Sequence, residues 1–451
     1  MKNGPPDGEK RYLFYEWYVV VVCMIAYVFS FIDRQILALL IEPIRADLAI
    51  SDTGFSLLQG LAFSLFYAAM GLPIARLADK RSRPHIIAAG IFLWSVMTAA
   101  CGIARNFWDF FLARMAVGIG EASLSPATYS MLSDYFPRHK LGRALGVYSI
   151  GSFVGGGLAF LIGAAVIDAI EGIGAITLPL IGETRPWQIT FFIVGLPGAL
   201  VALLVFLTIR DPGRKGLMIT RDDNGRARAA QVSFSEVIAF IRRHGMTFFT
   251  LYLGFSFSAV ALFGIMSWTP AIYIRVFSLS AGEVGYRVGI IVLLANTSGV
   301  LTSGFLADWF TRRGYTDAGM RVGMIGGLGL ALPAALFPLV DNLSLSFVLL
   351  TFAMFFASFP LATSAMAMQV LAPNQMRAQV SAIFLFISNL LGLAVGTTVI
   401  ALITDYVFKD DYAVGYSVSI VCSVAALGLA GFLGAGLKHF RRSLDAGEEL
   451  C

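Results

Sequence analysis

WYVVVVCMIAYVFSFIDRQILALL, from Trp17 to Leu40, decides the fold class: apart from Ser30, Asp33, Arg34 and Gln35 it is unbroken apolar sequence. A helix needs about 20 such residues to cross the hydrocarbon core of a bilayer. A shorter apolar run ahead of a small-residue cleavage pattern would read as a removable leader; this one is long enough to span, so it is expected to stay as a first transmembrane helix. Two adjacent charges in the central-to-outer part of such a helix are costly in oil and need a reason.

Outward from this run the pattern repeats. Apolar segments are expected at 17–40, 54–78, 84–104, 107–135, 141–168 and 188–209, and again at 246–273, 283–308, 320–340, 344–371, 377–405 and 413–437. The composition agrees: 57% of the 451 residues are hydrophobic and 14% are charged, too few to cover a water-exposed surface of this size. The expectation is an all-α polytopic membrane protein of about twelve transmembrane helices. Its parts are a cytoplasmic tail 1–16, a first six-helix bundle 17–209, a linker 210–245, a second bundle 246–437 and a second tail 438–451.

Lys and Arg are distributed unevenly between the two sets of loops. One side carries Arg45, Arg105, Arg185, Arg275, Arg287 and Lys409; the other carries the remaining loop cations, including the linker and both tails. The basic side is expected to be cytoplasmic. The net charge of +5 therefore reports topology, and no basic stripe interleaved with aromatics points to nucleic acid. In the linker, Ser233 and Glu236 are spaced as a capping box, and Phe234, Val237, Ile238 and Ile241 line one face, predicting an amphipathic helix on the inner leaflet. Cys23, Cys101, Cys422 and Cys451 show no metal or disulfide spacing, and His85, His139, His244 and His439 adjoin loop edges, so no metal and no cofactor are expected. No nucleophile–base pair or phosphate loop is visible, so no enzyme is expected.

The halves echo each other. Leu77-Ala78-Asp79-Lys80-Arg81-Ser82-Arg83 follows the second apolar segment and Leu306-Ala307-Asp308-Trp309-Phe310-Thr311-Arg312-Arg313 follows the eighth. A second echo runs from Pro137 to Arg143 and from Pro373 to Arg377. Both run in the same direction, as in parallel repeats of a two-halved transporter.

These loops resemble those of the major facilitator superfamily, with Ala75 and Ser82 where the family has glycines and Gly304 retained in the second half. The resemblance implies the major facilitator fold, with Asp79, Lys80, Arg83, Asp308, Arg312 and Arg313 as a conformational latch that breaks in each alternating-access cycle. Gly151, Gly155, Gly156 and Gly157 are similar to the family's glycine-rich fifth helix. A narrower resemblance, to the spinster-like lipid transporters, rests on Ile32-Asp33-Arg34-Gln35, Ile50-Ser51-Asp52, Arg114 to Ser123 and Ser267-Trp268-Thr269-Pro270. It implies a lysophospholipid or a sphingosine-1-phosphate-like lipid as cargo.

From the residues alone, the ionisable groups set deep in apolar segments are Asp33, Arg34, Arg114 and Glu121. Arg114 and Glu121, seven apart, share one helix face. Planar guanidinium forks match phosphate and carboxylate, which assigns Arg34 and Arg114 to an anionic head group. Burial raises a carboxylate's proton affinity and a neighbouring arginine lowers it, so Glu121 and Asp33 are the candidates for proton coupling. The second half offers instead Phe255, Phe257, Phe263, Trp268, Tyr273, Asn296, Gln369, Phe384 and Asn389. A charged half facing an apolar half suggests an amphipathic anionic cargo with membrane lipids and protons as the other partners. The competing expectations are a proton-coupled organic-anion importer and a non-transporting membrane receptor or scaffold. A monomer in a bacterial inner membrane, with both termini cytoplasmic, completes the expectation.

Overall fold

Apolar runs of this length can satisfy their backbone in oil only as helices or closed barrels, and here they are helices. The computed structural model describes residues 7–78, 80–170, 172, 174, 176–178, 182–214, 219–221, 227–229, 234–373 and 376–448. Among them, eleven helices are long and apolar enough to cross a membrane: Phe14–Leu39, Asp52–Ala78, Arg83–Cys101, Lys140–Ile170, Pro186–Thr208, Gly245–Arg275, Ala281–Arg312, Ala318–Leu336, Leu343–Leu371, Gln379–Phe408 and Asp411–Asp445. The remaining span, fourth in chain order, is two shorter helices, Phe107–Glu121 and Leu124–Tyr135, interrupted at Ala122 and Ser123. Counting it gives twelve spans, six before the linker and six after it. The ordinals below follow this order.

The interruption has an internal echo. In the fourth span the Ser123 hydroxyl donates to the Gly120 carbonyl at 2.8 Å; in the tenth, which breaks at Ser358, the Ser358 hydroxyl donates to the Phe355 carbonyl at 2.7 Å. A serine that bonds back to its own helix competes with the helical ladder and bends it. Corresponding spans of the two halves thus carry the same device.

The first helix begins at Asp7 and the last ends at Glu448, so helical structure extends into both segments expected to be tails. Among the described residues, two short antiparallel strand pairs accompany the helices, Ile176–Leu178 with Gly182–Thr184 and Ile219–Arg221 with Ala227–Ala229. The linker helix forms over Phe234–Arg243. Val237 is fully buried in a cluster with Phe248, Leu371 and Val380, and Phe240 and Ile241 pack at its edge, so protein side chains cover part of its apolar face. Ser233, the cap of that helix in the sequence reading, lies outside the described residues.

The chain groups into two compact units, residues 1–48 with 65–217 and residues 49–64 with 218–451. By chain order 49–64 counts with the first bundle; by contact it packs with the second unit. Two features hold it there. Asp52 pairs with Arg275, and the helix widens into a π-helical turn at Leu57–Leu61 that presents Gly60 to the eleventh span. A Cβ at Gly60 would stand 2.0 Å from the Leu393 carbonyl oxygen and 2.6 Å from the Thr397 hydroxyl. The facing stretch, Leu390–Gly396, is π-helical as well. Within the first unit, a Cβ at Gly120 would lie 2.8 Å from both the Gly90 carbonyl oxygen and the Trp94 nitrogen, and one at Gly195 would lie 2.8 Å from the Ala99 nitrogen. The third span is therefore gripped by backbone-to-backbone approaches on two sides.

Candidate functional site

Tyr27, Ser30, Phe31 and Arg34 recur at helical spacing and share one face of the first span; Asp33 is rotated about 100° from Arg34. That single step separates the four buried charges into two layers. Toward one side, Arg34 forms an ion pair with Glu121, NH2 to Oε2 at 2.5 Å, and donates from Nε to the same oxygen at 2.6 Å. The Ser30 hydroxyl also donates to Glu121 Oε2, at 2.5 Å. The Arg34 guanidinium lies 5.1 Å from the centre of the Phe31 ring and 5.0 Å from that of Tyr67. Toward the other side, Arg114 NH1 donates to the Asp33 backbone carbonyl at 3.2 Å. All four residues are buried, Arg34 at 8% exposure and the others at 1%. Glu121 Oε1 and Asp33 Oδ1 have no hydrogen-bond partner among the described residues.

The four expected residues are therefore brought together, but in a different pairing. Spacing along the chain suggests Asp33 with Arg34 and Arg114 with Glu121. Neighbours on one helix point apart, and seven residues span about 10 Å of helix axis, so the ion pair forms across helices, Arg34 to Glu121. Glu121 is also the last residue of its half-helix. A carboxylate there meets the negative end of the helix dipole, and the arginine and serine donors offset it.

Sequence reading overlooked a set of aromatics beside this pair. Tyr27 stacks on Tyr148 with ring centres 4.8 Å apart, Tyr129 meets Tyr148 edge-on at 5.5 Å, and the Tyr148 and Ser125 hydroxyls are 3.0 Å apart. Tyr129 is 38% exposed and Tyr67 half-buried, so phenol groups border the charged layer. The i, i+3, i+7 relation of Tyr27, Ser30 and Arg34 was the available signal.

Among the expected latch residues, Arg83 is fully buried and the most engaged. It pairs with Asp134 and, at 2.6 Å, with Asp211, and donates to the carbonyls of Ser130 at 3.0 Å and Gly213 at 3.3 Å. It ties together the start of the third span, the end of the fourth and the exit of the sixth. Partial burial pushes the Asp211 carboxyl up, but hydrogen bonds and charge from Arg83 outweigh this and hold it below its ordinary value. Lys80 is exposed, and Asp79 lies outside the described residues. In the second half the expected residues are not brought together: Asp308 and Arg312 are exposed and form no ion pair among the described residues, and Arg313 stacks over Trp309 at 3.8 Å. Asp317 takes the buried role instead, accepting from Arg321 at 2.7 Å and Arg441 at 2.8 Å.

A further buried pair joins Asp52 to Arg275 through two parallel hydrogen bonds of 2.7 Å. Asp405 and Asp411 bring their carboxylates within 4.8 Å of Asp52, but Arg275 also donates to the Asp411 carbonyl and the Thr53 amide to Asp405, so the cluster is organised around a guanidinium. The second-half aromatics mostly pack internally. Phe255 and Phe384 share one cluster, Trp268 donates to the Thr397 carbonyl at 3.1 Å, and the Tyr273 hydroxyl is 2.9 Å from that of Ser346. Phe257, Phe263 and Asn389 are part-buried, Asn296 is buried and Gln369 is exposed.

The family model of the Major Facilitator Superfamily matches residues 23–397. An MFS-type efflux pump of Mycolicibacterium smegmatis is 27% identical over 96% of this chain and 95% of its own length. A probable L-galactonate transporter of Escherichia coli is 26% identical over 69% of this chain and 66% of its own. Among solved structures, a bacterial homolog of the human lysosomal transporter Spinster, inward-facing and unoccupied, aligns over 98% of this chain and 96% of its own at 27% identity, with a TM-score of 0.72.

Proposed function

Since this chain belongs to the Major Facilitator Superfamily and is a membrane transporter related to the Spinster and sugar-acid transporters, we propose that it is a secondary transporter of an amphipathic anionic lipid, of the lysophospholipid or sphingosine-1-phosphate class, driven by protons. The observation that carries this reading is the buried Arg34–Glu121 pair, with Arg34 set between two aromatic faces. Buried pairs seldom repay their desolvation as stability, so function is the better reason to retain one in oil. An anionic head group that engages Arg34 competes with Glu121 for the guanidinium. Glu121, released, takes a proton, and the neutral acid no longer calls the arginine back. Asp33 and Arg114 form the second layer, with Asp33 a further proton acceptor and Arg114 a further anion donor.

In this reading the halves 17–209 and 246–437 alternate about the cargo, and the networks of Arg83 and Asp317 steady the cytoplasmic ends. The excess of Lys and Arg on one set of loops supports cytoplasmic termini, and the bacterial relatives support an inner membrane. The protein acts as a monomer.

A second reading, a proton-coupled importer of small organic anions, is favoured by the tyrosine and serine hydroxyls beside Arg34 and by the similarity to a probable L-galactonate transporter. Hydroxyl partners suit a polyhydroxylated acid better than an alkyl chain. Purified protein in proteoliposomes, offered a labelled lysophospholipid or a sugar acid with and without a pH gradient, separates the two. Gradient-driven lysolipid flux supports the lipid reading; sugar-acid flux alone replaces it with the second. If neither moves, transport yields to a receptor or scaffold role.

A further inference from the structure

The carboxyl of Glu121 is held unevenly. The Ser30 hydroxyl donates to Oε2 at 2.5 Å, Arg34 Nε donates to the same oxygen at 2.6 Å, and Arg34 NH2 pairs with it at 2.5 Å. The other oxygen, Oε1, is buried with no partner among the described residues. Ser30 is unusual among the serines of the spans. A serine hydroxyl inside a helix is most readily satisfied on its own backbone, and Ser123, Ser152, Ser258, Ser303 and Ser358 each donate to the carbonyl three residues back. Ser30, 1% exposed, instead gives its one proton to a carboxylate on the fourth span.

We infer that Ser30 is a positioning residue for proton coupling: it pins Oε2 of Glu121, so that the proton is taken up and given back at Oε1. This rests on the reading of Glu121 as the proton carrier. A carboxylate oxygen offers about two lone pairs, and Oε2 already meets a hydroxyl and two guanidinium nitrogens. A proton from the water phase therefore adds to the bare Oε1 and leaves from it to water. When cargo draws Arg34 away, Ser30 is the donor that stays, and it keeps the carboxyl from turning over. Its hydroxyl bonds the charged carboxylate more strongly than the neutral acid, so it also favours release; without it the carboxyl keeps its proton to higher pH. The other charged and titratable groups around Glu121 are Arg34 and Asp33 of the first span and Arg114 on its own helix, with the Tyr67 phenol of the second span beside Arg34. They act alike on the unsubstituted protein and on a variant at position 30, so a difference between the two reports the hydroxyl.

The test reads the proton on Glu121 directly and needs no cargo. The full chain in phospholipid vesicles is titrated with pH while infrared difference spectra follow the C=O stretch of protonated carboxylic acids. The band that Glu121→Gln removes belongs to Glu121. Ser30→Ala should move the midpoint of that band up by about one pH unit, a roughly tenfold gain in proton affinity, as loss of one hydrogen bond to a charge gives. It should also raise the frequency of the band, because Oε2 loses a donor. Ser30→Thr, which keeps a hydroxyl, should return both toward the unsubstituted values. A purely structural role for Ser30 lowers the unfolding temperature of Ser30→Ala and moves neither. A Glu121 band that keeps its midpoint or its frequency in Ser30→Ala overturns the inference and leaves Glu121 as the proton carrier. No Glu121 band at any pH overturns the proton reading and the inference with it. If Ser30→Thr does not fold, Ser30→Ala against the unsubstituted protein decides alone.

Discussion

Replacing Glu121 with Gln is the sharpest perturbation of the proposed cycle. Glutamine keeps an oxygen that can accept from Ser30 and Arg34, which now bond Glu121 Oε2 at 2.5 and 2.6 Å, but it removes the charge. Breaking a buried pair by deleting one partner costs about 3–5 kcal/mol. The Phe31 and Tyr67 rings flank the guanidinium in the unsubstituted protein as well and so offset none of this. The loss is then at most about 3–5 kcal/mol, since glutamine keeps the acceptor, read as a lower thermal unfolding midpoint in detergent. Cargo binding moves the other way, since the anion no longer displaces a carboxylate; each 1.4 kcal/mol of relieved competition tightens it about tenfold. Proteoliposomes complete the assay: Glu121→Gln should abolish accumulation driven by a pH gradient while cargo binding and exchange persist. Undiminished gradient-driven accumulation refutes the coupling argument. Binding that weakens in step with flux refutes the competition between cargo and Glu121.

Arg83→Ala removes the cation that Asp134 and Asp211 share and should destabilise the protein by about 3–5 kcal/mol, measured by thermal unfolding. Because the Asp211 carboxyl is held below its ordinary 3.8, its share of stability is present above that value and is lost as pH falls through the lower folded value. Asp211→Asn should therefore flatten the acid limb of a stability–pH profile below about pH 4 and leave the neutral region lower. Arg275→Met and Asp52→Asn should each cost about 3–5 kcal/mol, and the double variant less than their sum; strict additivity in thermal unfolding would show that the bidentate pair is not coupled. Gly60→Ala should destabilise by about 1–3 kcal/mol through its collision with the Leu393 carbonyl. Gly71→Ala, where a Cβ meets nothing within 4 Å, should be neutral or stabilising by up to about 1 kcal/mol.

The spans were legible because lipid imposes a one-dimensional demand, a run of apolar residues of a certain length. The four deep charges were legible on the same ground. Their partners were not, because pairing depends on the angle between helices: Arg34 reaches Glu121 across a contact that no spacing along the chain records. Asp52 and Arg275 were read as a resemblance motif and a loop cation and not as a pair, and Asp134 and Asp211 escaped notice, because charge at the end of an apolar run is ordinary in a loop and nothing in composition distinguishes a loop aspartate from a buried one. The echo of Leu306-Ala307-Asp308 pointed to a second latch, yet Asp317, a few residues onward, is the buried acid there. The break at Ala122 and Ser123 was signalled by Pro126, which has no N–H for the Ala122 carbonyl, and by Gly118 and Gly120 before it, but the apolar run from 107 to 135 masked it. The linker helix was legible as amphipathic, but periodicity cannot say whether lipid or protein covers an apolar stripe.

The third span has glycine-mediated contacts on two flanks, with the fourth span at Gly120 and the sixth at Gly195. Surfaces meshed at main-chain distance have no clearance to shear, so these three helices behave as one stiff plate. Arg34 projects from the neighbouring first helix, and the half-buried Tyr67 stands beside it. Any rearrangement inside this half is thereby confined to the first, second and fifth helices, which concentrates the work of each turnover on the residues nearest the charge.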